Sequence, residues 1–241
     1  EKSLKLRFHT QTAGFTLTAQ QPENNISRTA FQAMAAVLGG TQSLHTNSMD
    51  ETLALPSEKA VEIALRTQQL LAFETGIANV VDPLGGSWYV ESLTDKMEEG
   101  VTTYLNDIEK NGGVIECIEN GYFQKEIANS SSDYNEKVEK GERYIVGVNK
   151  FINDDDNKVD IPILKISKKV EENQIKQLKN LKNKRNNTNV IIKLKSIENA
   201  CKTKENLVPL IIEAALEYAT LGEIVDSMKS HFGDWEEKSI I

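Results

Sequence analysis

Two short segments place chemically active side chains at every second position. In the first, Lys5, Arg7, His9 and Gln11 share one side and Leu4, Leu6 and Phe8 the other, and in the second Thr41, Ser43, His45 and Asn47 share one side. A spacing of two predicts β-strands, Ser3 to His9 and Thr41 to Asn47, each with one polar face. Dry burial of such groups costs about 1–3 kcal/mol each, so these faces are expected to be wet or to contact a polar ligand. The alternatives are that they face loops or a partner, or that the strand limits are off by one residue.

The three histidines have different contexts. His9 and His45 each lie near the end of a predicted strand, where the active sites of α/β barrels collect. A hydrogen-bonded structural role remains the alternative for both. His231 is expected at a helix C-terminus, where a cation is favoured and no further function is required.

A turn at Asp82 to Ser87, DPLGGS, combines proline, two glycines and a helix-capping serine. Its backbone N–H groups could accept an anion or a ligand rich in amides. A tight turn with a serine cap is the simpler interpretation. The lysine-rich segment from Lys165 to Arg185 is interpreted in the same way, as a solvated helix face rather than a phosphate site.

Helical spacing between these segments predicts the elements that position them. A helix from Asn24 or Asn25, either of which could cap it, runs to about Leu38, and a second begins near Ser57 and ends before Gly76. A third is predicted from Trp88 to Lys110, and a fourth from the Gly112-Gly113 break to about Ala128. Residues 144–149, YIVGVN, follow as a strand. Alternating strands and helices of this length favour a parallel sheet in a barrel or a doubly wound fold.

The pattern changes near Asn149. An acidic loop, NDDDNKVD at residues 153–160, precedes a region with helical spacing only. We expect helices over 170–181, 190–201, 207–220 and 221–231. The chain is therefore divided into an α/β part, residues 1–150, and an all-helical appendix, residues 151–241.

Composition narrows the functional classes. The net charge of −8 argues against nucleic-acid binding, which requires an excess of Lys and Arg. Two distant cysteines favour a reducing compartment such as the cytoplasm, and no run is apolar enough to predict a membrane span. The chain starts without methionine and directly in a strand-like run, so we expect it to be a piece of a longer protein. Phosphate-binding loops, GxGxxG and metal-type cysteine pairs are absent from the sequence.

Six motifs in order carry a family resemblance. They are RFHTQTAG (7–14), AQQPENN (19–25), AVLGGTQSLHTNS (36–48), DETLALP (50–56), DPLGGSWYVE (82–91) and IVGVN (145–149). With them the chain resembles the adenosylcobalamin-dependent acyl-CoA mutases, most closely the methylmalonyl-CoA mutase large chain. The motifs cover residues 1 to about 150, and the helical remainder resembles the family in layout.

The resemblance implies the C-terminal part of a (β/α)8 TIM barrel followed by a helical linker. The coenzyme A arm of an acyl-CoA substrate would thread the barrel, and a cobalamin-binding domain or small subunit would cover its mouth. Adenosylcobalamin would supply a radical that isomerises methylmalonyl-CoA and succinyl-CoA. A dimer or hetero-oligomer is implied, located in the cytoplasm or, in a eukaryote, in the mitochondrial matrix.

The resemblance also implies site residues. Those expected at cobalamin are His45, Asn47, Asp82, Gly85, Gly86 and Ser87, and those expected at the substrate are His9, Gln11 and Thr75. Residues that act on the migrating group are expected upstream, so no catalytic residue is assigned to this chain.

One family motif is missing. The cobalt-ligating DxHxxG does not occur in the sequence, so the axial ligand is expected to lie outside this chain, which should be inactive alone. Alternatives are an isobutyryl-, hydroxyisobutyryl- or ethylmalonyl-CoA mutase, and a non-catalytic scaffold for a cobalamin subunit.

Overall fold

The computed structural model of the chain describes residues 5–153 and 161–237. It divides into two compact units between Leu164 and Lys165. Most of the acidic loop, residues 154–160, lies outside the described residues. The assignment of residues 1–150 to a barrel and 151–241 to a linker stays a prediction.

The first unit is mainly helical, with one small parallel sheet. Its elements are β1 (His9–Gln11), α1 (Asn24–Leu38), β2 (Ser43–His45), α2 (Glu58–Phe73), α3 (Trp88–Lys110), α4 (Val114–Glu119) and α5 (Tyr122–Glu139). The two strands pair in parallel, with His9 opposite Ser43 and Gln11 opposite His45. Small side chains such as Ala33 and Ala64 are buried, which allows α1 and α2 to approach each other closely.

The predicted first strand is wrong for the residues before His9. Lys5 to Phe8 do not form strand, and Ser3 and Leu4 lie outside the described residues. In the observed register the partners of these residues would precede Ser43, where the chain is leaving α1. The N–H of Thr41 is already bonded to the carbonyl of Ala36. A strand requires a neighbour, and here the neighbour begins only at Ser43.

The predicted strand at residues 144–149 is also wrong. The chain makes a turn there, with only an isolated bridge between Val146 and Lys150. The Asn149 side chain accepts the N–H of Ile145 at 2.7 Å and donates to the carbonyls of Val138 and Arg143, both at 2.8 Å. These bonds hold the backbone in a closed turn.

The α1 and α2 limits are confirmed, but the caps differ. Glu23 occupies the α1 N-cap position without a side-chain bond, so neither Asn24 nor Asn25 caps this helix. Ser57 does cap α2, accepting the N–H of Ala60. The Trp88–Lys110 helix is confirmed at both ends.

The helix predicted to reach Ala128 is two helices. Gly121, with a φ of 77°, separates α4 from α5, and α5 continues to Glu139. A left-handed glycine ends α4 because a continuous helix cannot pass through that conformation.

The second unit is helical, as expected. It contains α6 (Lys168–Lys184), α7 (Asn187–Ala200), α8 (Leu207–Leu216) and α9 (Leu221–Phe232). Its core joins α7 through Ile197 and the following Cys201 to Ala214 of α8 and Ile224 of α9. His231 lies in the last turn of α9, where the sequence places it.

Candidate functional site

Four polar side chains line one exposed face at the parallel strands. In the parallel register, His9 and Gln11 of β1 and Ser43 and His45 of β2 lie on the same side, and all four residues are exposed. The His9 Nδ1 atom lies 2.7 Å from the Ser43 hydroxyl oxygen. We call these four residues the strand-end face. The structure therefore brings together three of the residues that the family resemblance places at the substrate or the cofactor, namely His9, Gln11 and His45.

Asn47, the fourth residue expected here, is placed differently. It follows β2 and is buried, with 4% of its surface exposed. Its side-chain oxygen accepts the Thr12 hydroxyl at 2.5 Å, and its amide nitrogen donates to Glu51 at 2.5 Å. The polar atoms of the Asn47 side chain therefore form internal hydrogen bonds beneath the strand ends.

A groove of about 840 Å³ opens beside the end of β1. Its walls come from three stretches of the chain, residues 15–32, Thr52 and residues 134–146. Gln32 connects the groove to the strand, because its side-chain oxygen accepts the N–H of Ala13 at 2.6 Å. Exposed Phe15 and Phe31 add aromatic surface to these polar walls. The groove therefore offers both polar and apolar contacts to a large ligand.

Arg28 fastens one wall of this groove. It donates to the Thr18 hydroxyl at 2.9 Å, to Asn25 at 2.7 Å and to the carbonyl of Val146 at 2.8 Å. Burial lowers the pKa of the guanidinium from its ordinary value. Arg28 links α1 to the turn at 144–149, and sequence spacing gave no signal for this contact across 118 residues.

A second cavity, of about 670 Å³, has aromatic walls. Phe15 and Tyr134 line both spaces, and Tyr104, Tyr122 and Phe123 line the second. Desolvation, followed by the charge of the nearby Glu126, raises the pKa of the Tyr122 hydroxyl. No spacing in the sequence indicates this aromatic group, because its members lie on α3, α5 and the loop after β1.

The turn from Asp82 to Ser87 is exposed throughout. The Gly86 N–H donates to the Glu91 carboxylate at 3.0 Å. This backbone N–H, which could otherwise bind an anion, is therefore already bonded within the protein. Ser87 is the N-cap of α3 but makes no side-chain cap bond. A Cβ atom on Gly85 would collide with the Asp82 carboxylate, which would have to move, and would lie 3.2 Å from the Asp82 carbonyl oxygen.

Gly86 and Gly100 should respond oppositely to alanine. Gly86 has a φ of 77°, so Gly86→Ala should cost about 1 kcal/mol of stability. Gly100 lies within α3 with no atom near its missing Cβ, so Gly100→Ala should stabilise by about 0.5–1 kcal/mol. Chemical denaturation of both variants measures the difference, and the same sign for both would contradict these backbone assignments.

Thr75 is exposed, and its hydroxyl has local partners. It donates to the Leu71 carbonyl at 2.7 Å and accepts the N–H of Ile77 at 3.3 Å. These bonds close α2 and start the following turn. A ligand at Thr75 would therefore compete with two backbone bonds.

The described residues offer neither a metal cluster nor a membrane-spanning helix. Within residues 5–153 and 161–237, no group of three or more His, Cys, Asp or Glu side chains is arranged to hold a metal ion. Among the helices described in the structure, none is long and apolar enough to cross a bilayer. Both cysteines, Cys117 and Cys201, are buried and free.

Comparison with known proteins gives a consistent result along almost the whole chain. The sequence profile described as "Methylmalonyl-CoA mutase" matches residues 1–234. A 2-hydroxyisobutanoyl-CoA mutase large subunit from Aquincola tertiaricarbonis is 42% identical over 240 residues, which are 99% of this chain and 42% of that protein.

Two methylmalonyl-CoA mutases show similar levels of identity. The protein from Rhizobium meliloti is 42% identical over 97% of this chain and 33% of its own length, and the mitochondrial protein from Homo sapiens is 39% identical over 97% and 31%. The chain therefore spans between about a third and two fifths of the length of these relatives.

Proposed function

The chain belongs to the methylmalonyl-CoA mutase family, and from that premise we propose that the protein containing it is an acyl-CoA mutase. Its reaction would be an intramolecular isomerisation in which the thioester group, CO–S–CoA, and a hydrogen atom exchange places on adjacent carbons. The specific reaction we propose interconverts methylmalonyl-CoA and succinyl-CoA. The observation that carries this proposal is the family match over residues 1–234, together with one polar face at the ends of two parallel strands.

The fold we propose for the longer protein is a (β/α)8 barrel to which this chain contributes the C-terminal part. Two features support it. The strands are parallel, and their polar residues continue into loops at the carboxyl ends, where barrel enzymes place their sites. Apolar side chains along α3, including Met97 and Leu105, are exposed in the chain by itself and would pack against the remaining barrel.

The strand-end face is the proposed wall for the acyl-CoA substrate. His9 and Gln11 present an imidazole and an amide, groups that can donate to and accept from the amides and carbonyls of the coenzyme A arm. Thr75 is the third proposed substrate residue, and a substrate there would compete with its bonds to the Leu71 carbonyl and the Ile77 N–H. Enclosure by the rest of the protein would exclude water from these groups.

The cofactor we propose is adenosylcobalamin, which when bound supplies the radical chemistry of the reaction. The residues proposed to contact it are His45, with Asn47 beneath, and the turn from Asp82 to Ser87. The groove beside β1 has other lining residues, so it is not part of this proposed cofactor surface. The sequence has no DxHxxG motif, so we propose that the axial cobalt ligand comes from outside this chain.

A partner chain or domain follows from that proposal. The relative from Aquincola tertiaricarbonis is named a large subunit. We propose that this protein likewise assembles with a cobalamin-binding module, on a second subunit or elsewhere in the same polypeptide, in a dimer or hetero-oligomer. The proposed location is the cytoplasm, or the mitochondrial matrix in a eukaryote.

A second candidate substrate is 2-hydroxyisobutyryl-CoA. It is favoured by the 42% identity to the 2-hydroxyisobutanoyl-CoA mutase large subunit over 99% of the chain. Methylmalonyl-CoA mutases match at 39–42% identity, so identity alone does not separate the two acyl groups.

The test uses the intact protein with its cobalamin-binding module, adenosylcobalamin and each acyl-CoA in turn. We expect isomerised product, identified by mass spectrometry, from methylmalonyl-CoA and none from residues 1–241 alone. His9→Ala should lower kcat/KM about tenfold or more, equivalent to about 1.4 kcal/mol of lost interaction. His231→Ala, an exposed histidine in the second unit, is the matched control and should change nothing.

Three results would contradict parts of this proposal. If product formed only from 2-hydroxyisobutyryl-CoA, that compound would replace methylmalonyl-CoA as the proposed substrate. Corrinoid binding without product from any acyl-CoA would favour a scaffold for a cobalamin subunit. Turnover by residues 1–241 alone would refute the expectation that the catalytic groups lie elsewhere.

A further inference from the structure

The backbone hydrogen bonds between β1 and β2 end at Thr12, where a side chain replaces the next backbone partner. The Thr12 N–H donates to the His45 carbonyl at 3.0 Å, which continues the ladder by one residue. The Thr12 hydroxyl then accepts the N–H of Asn47 at 3.0 Å and donates to the Asn47 side-chain oxygen at 2.5 Å. One threonine therefore ties the backbone and the side chain of a residue 35 positions away.

The same network fixes a carboxylate. The two oxygens of Glu51 accept from the Asn47 side-chain amide at 2.5 Å and from the Ser48 N–H at 2.7 Å. A Cβ atom on Gly14 would lie 3.3 Å from the Asn47 amide nitrogen, a tight approach, so glycine leaves room for this arrangement. We call Thr12, Asn47, Ser48 and Glu51 the strand-end clamp.

Burial separates the clamp from the exposed face. Thr12, Asn47 and Ser48 are 6%, 4% and 4% exposed, and Glu51 is half-buried, whereas Gln11 and His45 are exposed. Thr12 directly follows Gln11, and Asn47 lies two residues after His45. The clamp residues are therefore close enough in the chain to orient the exposed side chains of Gln11 and His45. Thr12 and Asn47 are themselves buried and do not form part of the exposed face.

We propose that Thr12 and Asn47 are positioning residues, which orient Gln11 and His45 of the strand-end face for an acyl-CoA and its cofactor. This inference rests on the proposed function. It also changes the role of Asn47, from a residue that contacts cobalamin to one that acts through its neighbours. Misplacing a substrate-contacting group by about 1 Å can cost about a hundredfold in rate, so buried hydrogen bonds at this point control catalysis at a distance.

The polarity of the clamp gives the sharpest variant. The Asn47 amide nitrogen faces a Glu51 oxygen, so Asn47→Asp keeps the shape and sets two carboxylates against each other. In this variant the repulsion between the carboxylates at positions 47 and 51 raises the pKa of one of them. At lower pH that carboxylate takes up a proton, and the repulsion disappears. We expect Asn47→Asp to lower kcat/KM about a hundredfold at pH 8 and to recover toward wild type at pH 6.

The hydroxyl is tested in the intact protein with its cobalamin module. Thr12→Val should lower kcat/KM about tenfold to a hundredfold, and Thr12→Ser should retain most of it. The matched control is Thr46→Val, another buried threonine, whose hydroxyl donates to the Ala64 carbonyl in α2 at 2.7 Å. An equal loss of kcat/KM in Thr46→Val, or none in Thr12→Val, would overturn the positioning role.

A ligand-free measurement separates this inference from the proposed function. Amide exchange at Thr12 and Asn47 should be faster in Thr12→Val than in wild type, and unchanged in Thr46→Val. If the wild type turns over no acyl-CoA, the proposed function fails, and the exchange data alone decide whether the clamp exists. If the wild type is active but Asn47→Asp matches it in kcat/KM at every pH, the clamp does not position the site.

Discussion

Asn25→Ala is expected to lower the free energy of unfolding of the first unit by roughly 3–5 kcal/mol. Asn25 is fully buried, and its side chain satisfies four partners. Its oxygen accepts the Thr18 N–H at 3.0 Å and the Arg28 guanidinium at 2.7 Å. Its amide nitrogen donates to the carbonyls of Thr18 at 2.8 Å and Met49 at 2.9 Å.

The expected size follows from what alanine leaves behind. Each buried polar group without a partner costs about 1–3 kcal/mol, and the substitution removes a partner from both backbone carbonyls as well as from the Thr18 N–H. Arg28 keeps its bonds to Thr18 and Val146 and is less affected. The loss is largest if no water enters the space that the amide vacates.

Asn24→Ala is the matched control, because it removes the neighbouring asparagine from the same helix. The Asn24 side chain makes one bond, to Gln21, and is half-buried, so we expect a loss of about 1 kcal/mol or less. Denaturation followed by circular dichroism measures the total, and amide exchange in α1 localises it. Equal losses in the two variants would show that Asn25 does not hold the loops around α1 together.

The two asparagines also show what a sequence can and cannot predict here. Helical spacing gave the limits of α1 and α3, because both depend on local pattern and on the residues that stop a helix. It gave no way to decide which asparagine faces inward. The choice depends on Thr18 and Met49, whose positions are set by loops that have no periodicity.

The candidate site divides in the same way. Alternation predicted the polar strand-end face, because His9, Gln11, Ser43 and His45 lie within two short segments. Alternation does not indicate Thr12 and Glu51, although both lie within the family motifs, because their roles arise from bonds between the two strand ends. A polar residue directly after a strand, with glycine two residues later, was the available signal for Thr12.

The incorrect strand prediction at residues 144–149 also results from contacts that local sequence does not specify. Residues 144–149 carry strand-like side chains, but a strand forms only if a neighbour supplies hydrogen bonds along its length. In this chain Asn149 supplies the partners instead, from within the same segment. Local composition therefore identified an ordered, apolar segment and misjudged its hydrogen bonding.

Arg185→Met is expected to destabilise the second unit by about 3 kcal/mol, because it leaves a partly buried carboxylate without its main partner. The Arg185 side chain is 6% exposed and donates to both oxygens of Glu223, at 2.7 and 2.6 Å. It also donates to the carbonyl of Tyr218 at 2.8 Å. Tyr218 has a φ of 63°, a strained conformation just after α8, so the bond from Arg185 also stabilises this end of the helix.

The pair makes stability depend on pH. The hydrogen bond from Arg185 holds the pKa of the Glu223 carboxyl well below its usual range, and bonds from Thr220 and Lys182 add to the effect. The pKa is lower in the folded than in the unfolded state, so the stabilisation is complete above the unfolded value of about 4.3 and declines below it. The decline should be about 1.4 kcal/mol per pH unit at acidic pH.

Glu223→Gln isolates this contribution, because it keeps the shape and removes the charge. We expect it to be less stable than wild type at pH 7, and the difference should shrink steadily between pH 4 and pH 3. Glu213→Gln is the control, since its ion pair with Lys193 is largely exposed and screened by solvent, so its removal should change the stability little at any pH. A difference between Glu223→Gln and wild type that stays constant from pH 7 to pH 3 would mean that Arg185 does not depress the pKa of Glu223.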